Sequence, residues 1–263
     1  WRMASPSDAW HLLASSLTSA LIDQLGESAI AVLGELDPRF NMDPSERWLA
    51  QVKGLGSQYS PMLRQGIGRT LILLALYWDR VVLVPNARSR TDTIVSQLLD
   101  RADEHRWWSL SRDFRLLAEA SPSSLLSAIE DSLSEVPQTI TVLFDDSETG
   151  AFGAEYLSDL MWALEVLAWS PSHMLRVTRI LSILATLDVK TRRYHNGPAN
   201  SLSKVHTLWS PQTYATLDER LMALDHVRKR APKSAWNLML GILPSAHQSL
   251  TPSPKPPWRD FSV

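Results

Sequence analysis

The sequence predicts an all-α protein, and three observations carry that expectation. Leu- and Ala-rich stretches of about 12–20 residues place apolar side chains at helical spacing. Glycine is scarce, 10 in 263 residues, which disfavours a fold built on tight hairpin turns. Ser-Pro pairs recur at Ser5-Pro6, Ser60-Pro61, Ser121-Pro122, Ser170-Pro171 and Ser210-Pro211, with Asp43-Pro44 as an acidic version. A serine or aspartate at the N-cap accepts a bond from an otherwise orphaned backbone N–H. Proline next to it loses nothing, because its missing N–H would have had no intrahelical partner.

The elements follow in order. Residues 8–25 carry Leu12, Leu13, Leu17, Leu21 and Leu25, and 28–36 form a shorter run. Residues 64–78 are apolar nearly all round, the mark of a buried helix. Residues 91–102 bury Ile94, Val95, Leu98 and Leu99, and 110–118 form a helix opened near Ser109 or Ser111. After Ser121-Pro122 come Leu125, Leu126, Ile129 and Leu133. Residues 136–153 hold the one β-branched run and then an acidic, Gly-bearing loop. Residues 155–168 carry Tyr156, Leu157, Leu160, Met161, Leu164 and Leu167. The pair Ser170-Pro171 opens a helix with Met174, Val177, Ile180, Leu181 and Leu184, and 188–200 read as a long polar connection. Ser210-Pro211 is expected to open the next, with Tyr214, Leu217, Leu221, Leu224 and Val227. Residues 233–243 carry Trp236, Leu240 and Leu243, and the Pro-rich segment from Leu250 is expected to be extended.

The Ser-Pro spacings of 55, 61, 49 and 40 residues are too uneven for a strict repeat. They suit an irregular α-solenoid of stacked helix pairs, HEAT- or TPR-like, with a compact orthogonal helical bundle as the alternative. The expected division is residues 1–58 as N-terminal helices, of this domain or of a preceding unit, 59–249 as the helical-repeat domain, and 250–263 as the extended tail.

Net charge is −2, so no long-range field recruits nucleic acid or an anionic membrane. The absence of cysteine excludes disulfides and thiolate metal sites and fits a reducing, cytoplasmic setting. The longest apolar stretch, "TLILLALYW", is closed by Asp79 and Arg80, far short of the ~20 residues of a bilayer span. A chain that opens on Trp1 without a signal pattern reads as a piece of a longer protein.

Candidate chemistry is sparse. "LRQGIGRT" approximates a phosphate loop, but Leu63 stands at the first glycine position and Arg69 replaces the lysine. Its simpler reading is a helix with small residues where another helix approaches. "DDSETG" opens like a calcium loop through Asp145, Ser147, Thr149 and Gly150, yet Tyr156 occupies the position of the bidentate Glu, with Glu155 one place short. The histidines form neither HExxH nor an i, i+4 pair, so no metal and no cofactor is expected. The serines of the two Trp-Ser-Pro phrases lack the strand-turn-helix setting of an activated nucleophile. An enzyme reading would rest on Asp145, Asp146, Glu148, Arg193 and His195. A nucleic-acid reading would rest on Arg228, Lys229, Arg230 and Lys233, at a helix C-terminus where positive charge also complements the dipole. Trp107, Trp108, Trp162, Trp169, Trp209 and Trp236 are expected in core and inter-helix packing.

Several phrases, in order, resemble a helical region of very large bacterial multidomain proteins of the STAND NTPase or antiviral-defence type. They are "YSPMLRQGIGRTLILLALYWDR", "ARSRTDTIVSQLLDRADEHRWWSLSRDFRLLAEASPSSLLSAIEDSL", "FGAEYLSDLMWALEVLAWSPSHMLRVTRILSILATLD", "HTLWSPQTYATLDERLMALDHV" and "PPWRDF", together covering most of 59–261. The resemblance implies a non-catalytic scaffold or sensor arm whose nucleotide site lies elsewhere in the parent chain. It marks "FDDSETGAFG" and "YHNGPANSL" as recurrent landmarks. The expected partner is another protein or another domain of the parent, not a membrane, and nucleic acid is disfavoured. Asp145, Asp146, Phe152, Arg192, Arg193, Tyr194, Trp258 and Arg259 form the candidate partner surface.

Overall fold

The computed structural model describes residues 5–144, 156–187, 196–243 and 252–262. Among the described residues the chain is all-α, with twelve α-helices, seven 3-10 turns and no strand. The helices are α1 (Pro6–Leu13), α2 (Ser19–Leu33), α3 (Pro61–Leu76), α4 (Ala87–Leu99), α5 (Glu104–Leu110), α6 (Phe114–Ala120), α7 (Pro122–Ser134), α8 (Tyr156–Ala168), α9 (Met174–Leu187), α10 (Pro198–His206), α11 (Leu217–Arg230) and α12 (Pro232–Gly241). The chain forms two compact units, Trp1–Ala128 and Ile129–Val263. The division falls within α7.

In the first unit α3 is central, packed by α2, α4 and α6. Leu33, Leu71, Ile72, Leu74, Phe114 and Leu117 are fully buried there; each such side chain contributes about 1.5–3 kcal/mol relative to exposure. Gly68 shows why the "GIG" phrase exists. A Cβ at this position would lie 2.7 Å from Leu116 Cδ1, so only hydrogen lets α6 approach α3. The phrase is a packing device, as its simpler reading held.

Polar locks tie the irregular stretch after α2 to the helices. Arg64 donates to the carbonyls of Val32 and Leu33 at 2.7 and 3.2 Å, and to Asp113 Oδ2 at 2.6 Å. A guanidinium therefore satisfies the last carbonyls of α2, which no intrahelical donor can reach. Glu35 accepts from the backbone of Gln58 at 2.6 Å, and Ser109 Oγ accepts from the backbone of Asp37 at 2.9 Å. Phe40 stacks on His105 with centroids 4.4 Å apart. Residues 1–58, expected as N-terminal helices, include α2, which packs on α3 and α4.

The second unit is organised on α8 and α9. All residues of α8 except Asp159 and Trp162 are buried or nearly so, and α9 packs on α8, α10 and α11. Glu165 is fully buried; its Oε1 accepts from Ser201 Oγ at 2.6 Å and Lys204 Nζ at 3.1 Å. Thr178 Oγ1 and His206 Nε2 lie 3.0 Å apart, and Arg220 donates to the Thr207 carbonyl at 3.2 Å. Buried polar pairs of this kind contribute little net stability but select one register between helices.

Helix starts divide the Ser-Pro pairs. Ser5 and Ser60 cap α1 and α3 through the N–H groups of Asp8 and Leu63. Ser121 directs its hydroxyl to Asp92 Oδ1 instead. Ser170 makes no cap bond; its hydroxyl meets Ser172 Oγ at 2.8 Å before a 3-10 turn. Ser210-Pro211 opens no helix. Residues 207–216 are irregular, and α11 begins at Leu217 under a capping box in which Thr216 and Glu219 bond reciprocally. Two orphan donors satisfied at once outcompete a single serine cap six residues earlier. The expected polar connection 188–200 ends early, because α10 starts at Pro198, and the helix expected over 110–118 is α6, preceded by α5 and a 3-10 turn. The β-branched run forms a 3-10 turn, Thr139–Phe144.

Candidate functional site

Of the eight residues expected on a partner surface, Asp145, Asp146, Phe152, Arg192, Arg193 and Tyr194 lie outside the described residues, as do Glu148 and His195. Trp258 and Arg259 are described, half-buried on the C-terminal segment. That segment is the unit's most informative feature.

Residues 252–262 carry no helix or strand and run across the second unit. Four contacts place them. The Ser253 N–H donates to Gln212 Oε1 at 3.2 Å. Trp169 Nε1 donates to the Pro254 carbonyl at 3.0 Å. The Lys255 ammonium sits 5.1 Å from the centroid of the Trp169 ring. Phe261 meets His173 edge-on at 6.2 Å. Proline fixes φ near −65° and leaves carbonyls without local partners, so a Pro-rich strand offers acceptors at little entropic cost. An indole N–H beside an aromatic face is a matching donor.

The receiving surface comes from the two Trp-Ser-Pro phrases. The first supplies Trp169 from the end of α8. The second, "LWSPQTYATL", supplies Gln212 and Tyr214 from the irregular stretch before α11. Tyr214 N–H donates to the Trp169 carbonyl at 3.1 Å, and the two rings lie 5.2 Å apart. Gln212 is oriented by its own Nε2, which donates to the Ser210 carbonyl at 3.0 Å, leaving Oε1 to accept from the tail. Sequence reasoning read both phrases as helix starts. The signal that could have found this contact was present: an aromatic phrase used twice and a proline-rich tail.

Burial, with the Arg176 and Arg259 charges adding to it, lowers the pKa of His173, favouring the neutral ring against Phe261. Arg176 and Arg179 are both held by Glu130, at 2.7 Å each.

A second surface lies on α11 and α12. Trp236 and Leu240 are 59% and 51% exposed at i and i+4 of α12, and Leu243, 57% exposed, follows just past the helix end. Leu217, Leu221 and Met222 are exposed on α11, which packs beside α12. Trp162, Trp209 and Trp236 are therefore outside the core, against expectation, while Trp107, Trp108 and Trp169 are in it. Trp162 and Trp236 lie on the exposed sides of α8 and α12, and Trp209 in the irregular stretch before α11. Of the basic group, Arg228 and Lys229 both bind Asp225, at 2.7 and 2.6 Å.

Ser201 and Lys204 stand at S-x-x-K spacing, but Ser201 is fully buried and both groups bond to the Glu165 carboxylate. This joins α10 to α8. Among the described residues no group of three His, Asp or Glu side chains could hold a metal ion, and no helix is long and apolar enough to cross a membrane. Comparisons with protein-family models, with curated proteins and with solved structures return no match.

Proposed function

We propose that this chain is a non-catalytic helical domain that mediates protein–protein contact, as a scaffold or sensor arm of a larger bacterial signalling or defence protein. The observation that carries the reading is the set of exposed apolar side chains on two helices that pack together, Trp236 and Leu240 of α12 with Leu243 after it, and Leu217, Leu221 and Met222 of α11. A soluble chain that leaves two adjacent helices with apolar outer faces has a cost in solubility, offset when another protein surface covers them. Stacked helix pairs of a solenoid end in this way where the next unit docks. The resemblance to helical regions of STAND-type proteins supports the same role and puts any nucleotide site outside this segment. In such a parent, covering these side chains changes how the arm packs and thereby shifts an assembly equilibrium.

The test is a photo-crosslinking residue at Leu240 of the parent protein in its own cells. A discrete protein adduct, abolished by Trp236→Glu with the helical content retained, is the expected result. Only diffuse adducts, unchanged by Trp236→Glu, would remove the reading.

A further inference from the structure

We infer that the groove built by Trp169, Gln212 and Tyr214 is a recognition site for extended proline-rich segments of partner proteins, with residues 252–262 as its ligand in cis. The inference rests on the reading of this chain as an interaction domain and names a partner chemistry for it.

The seated segment defines what the groove selects. A backbone N–H one residue before a proline meets Gln212 Oε1 at 3.2 Å. The carbonyl of that proline meets the Trp169 indole at 3.0 Å. A lysine follows, its ammonium 5.1 Å from the same ring's centroid. The required pattern is a donor, a proline carbonyl and a cation in three consecutive positions, which "SPK" supplies at Ser253, Pro254 and Lys255. Two further prolines, Pro256 and Pro257, keep the strand from folding back into a helix. Extended proline-rich ligands commonly dock on aromatic-lined grooves because they surrender little backbone entropy on binding.

The residues that receive the tail also hold one another. The Tyr214 N–H bond to the Trp169 carbonyl, the 5.2 Å ring pair and the Gln212 bond to the Ser210 carbonyl all join residues outside the tail. A site whose donors are pre-oriented can accept an equivalent strand from outside when the tail leaves. Tail and partner compete for the same three positions, so the tail sets a threshold concentration for the partner.

The experiment uses the full chain and a fluorescein-labelled peptide with the sequence of residues 252–262. In a Ser253→Pro/Lys255→Glu double variant the tail loses its N–H donor and its cation, and trypsin should cleave after Arg259 at least tenfold faster. Peptide affinity, read by fluorescence anisotropy, should be at least tenfold higher for this variant than for the unaltered chain. Adding Trp169→Phe, which keeps the ring but removes the donor, should lower it about tenfold. A tail that stays protected in the double variant, an opened chain that binds no peptide, or binding indifferent to Trp169→Phe each overturns the inference. Circular dichroism and a cooperative melt confirm that each variant is folded. The Leu240 crosslink lies on a different surface, so its persistence alongside failed peptide binding would remove the groove assignment alone.

Discussion

The indole N–H of Trp169 donates to the carbonyl of Pro254, 85 residues away, at 3.0 Å. Trp169 is itself 6% exposed, so the bond is made at the edge of the core. Replacing Trp169 by Phe should leave the helices intact and cost about 1 kcal/mol, the net worth of one such bond. Hydrogen exchange should show loss of protection at the Ser253 N–H while α8 and α9 keep theirs.

The helix start before α11 gives a paired test. Thr216→Ala removes a capping box in which the hydroxyl accepts from Glu219 N and the carboxylate accepts from Thr216 N. It should cost about 1 kcal/mol in urea unfolding. Ser210→Ala, in the phrase that looks like a cap by sequence, should cost less than about 0.5 kcal/mol, as at ordinary surface positions. Equal losses would restore the Ser-Pro reading.

Gly68→Ala separates propensity from packing. Alanine improves an isolated helix by about 1 kcal/mol. Here its Cβ would meet Leu116 Cδ1 at 2.7 Å and Leu116 Cβ at 3.0 Å. Crowding of that order costs about 1–3 kcal/mol, so the net midpoint should fall. Leu116→Ala in the same chain should recover part of the loss by opening the space.

His206 makes stability depend on pH. Burial, with the Arg220 charge behind it, lowers its pKa to about 4, against an ordinary value of 6.5. The unfolded chain therefore takes up the proton first as pH falls. The contribution is complete above about pH 6.5 and is lost progressively down to about pH 4, by up to about 3 kcal/mol. His173, also lowered, acts in the same direction. Asp113 acts oppositely, because burial raises its carboxyl despite the bound Arg64, so its contribution grows as pH falls. His206→Gln should flatten the urea midpoint between pH 7 and 4; an unchanged slope would mean the ring is protonated as easily in the fold as in water.

The all-α class and most helix positions were legible in the sequence because helical periodicity is local. Leu160, Leu164 and Leu167 need no distant partner to announce one face of α8, and Ser60-Pro61 announces the start of α3 from four consecutive residues. Exposure was not legible. Trp236 and Leu240 have the spacing of a core face, yet among the described residues they are exposed. The candidate partner residues around Asp145 and Arg192 came from composition and resemblance, which place no side chain beside another; those segments lie outside the described residues.

The sequence by itself determined where backbone hydrogen bonds close locally, through periodicity, caps and prolines. It could not assign the two Trp-Ser-Pro phrases, because a cap and a groove wall use the same residues. Tertiary structure decided that Ser210-Pro211 starts no helix and that Tyr214 instead donates its N–H to the Trp169 carbonyl. It also decided that the proline-rich tail is held on Trp169 and Gln212. The reason is physical: a proline-rich strand has no internal hydrogen bonds, so its location follows from donors elsewhere in the fold.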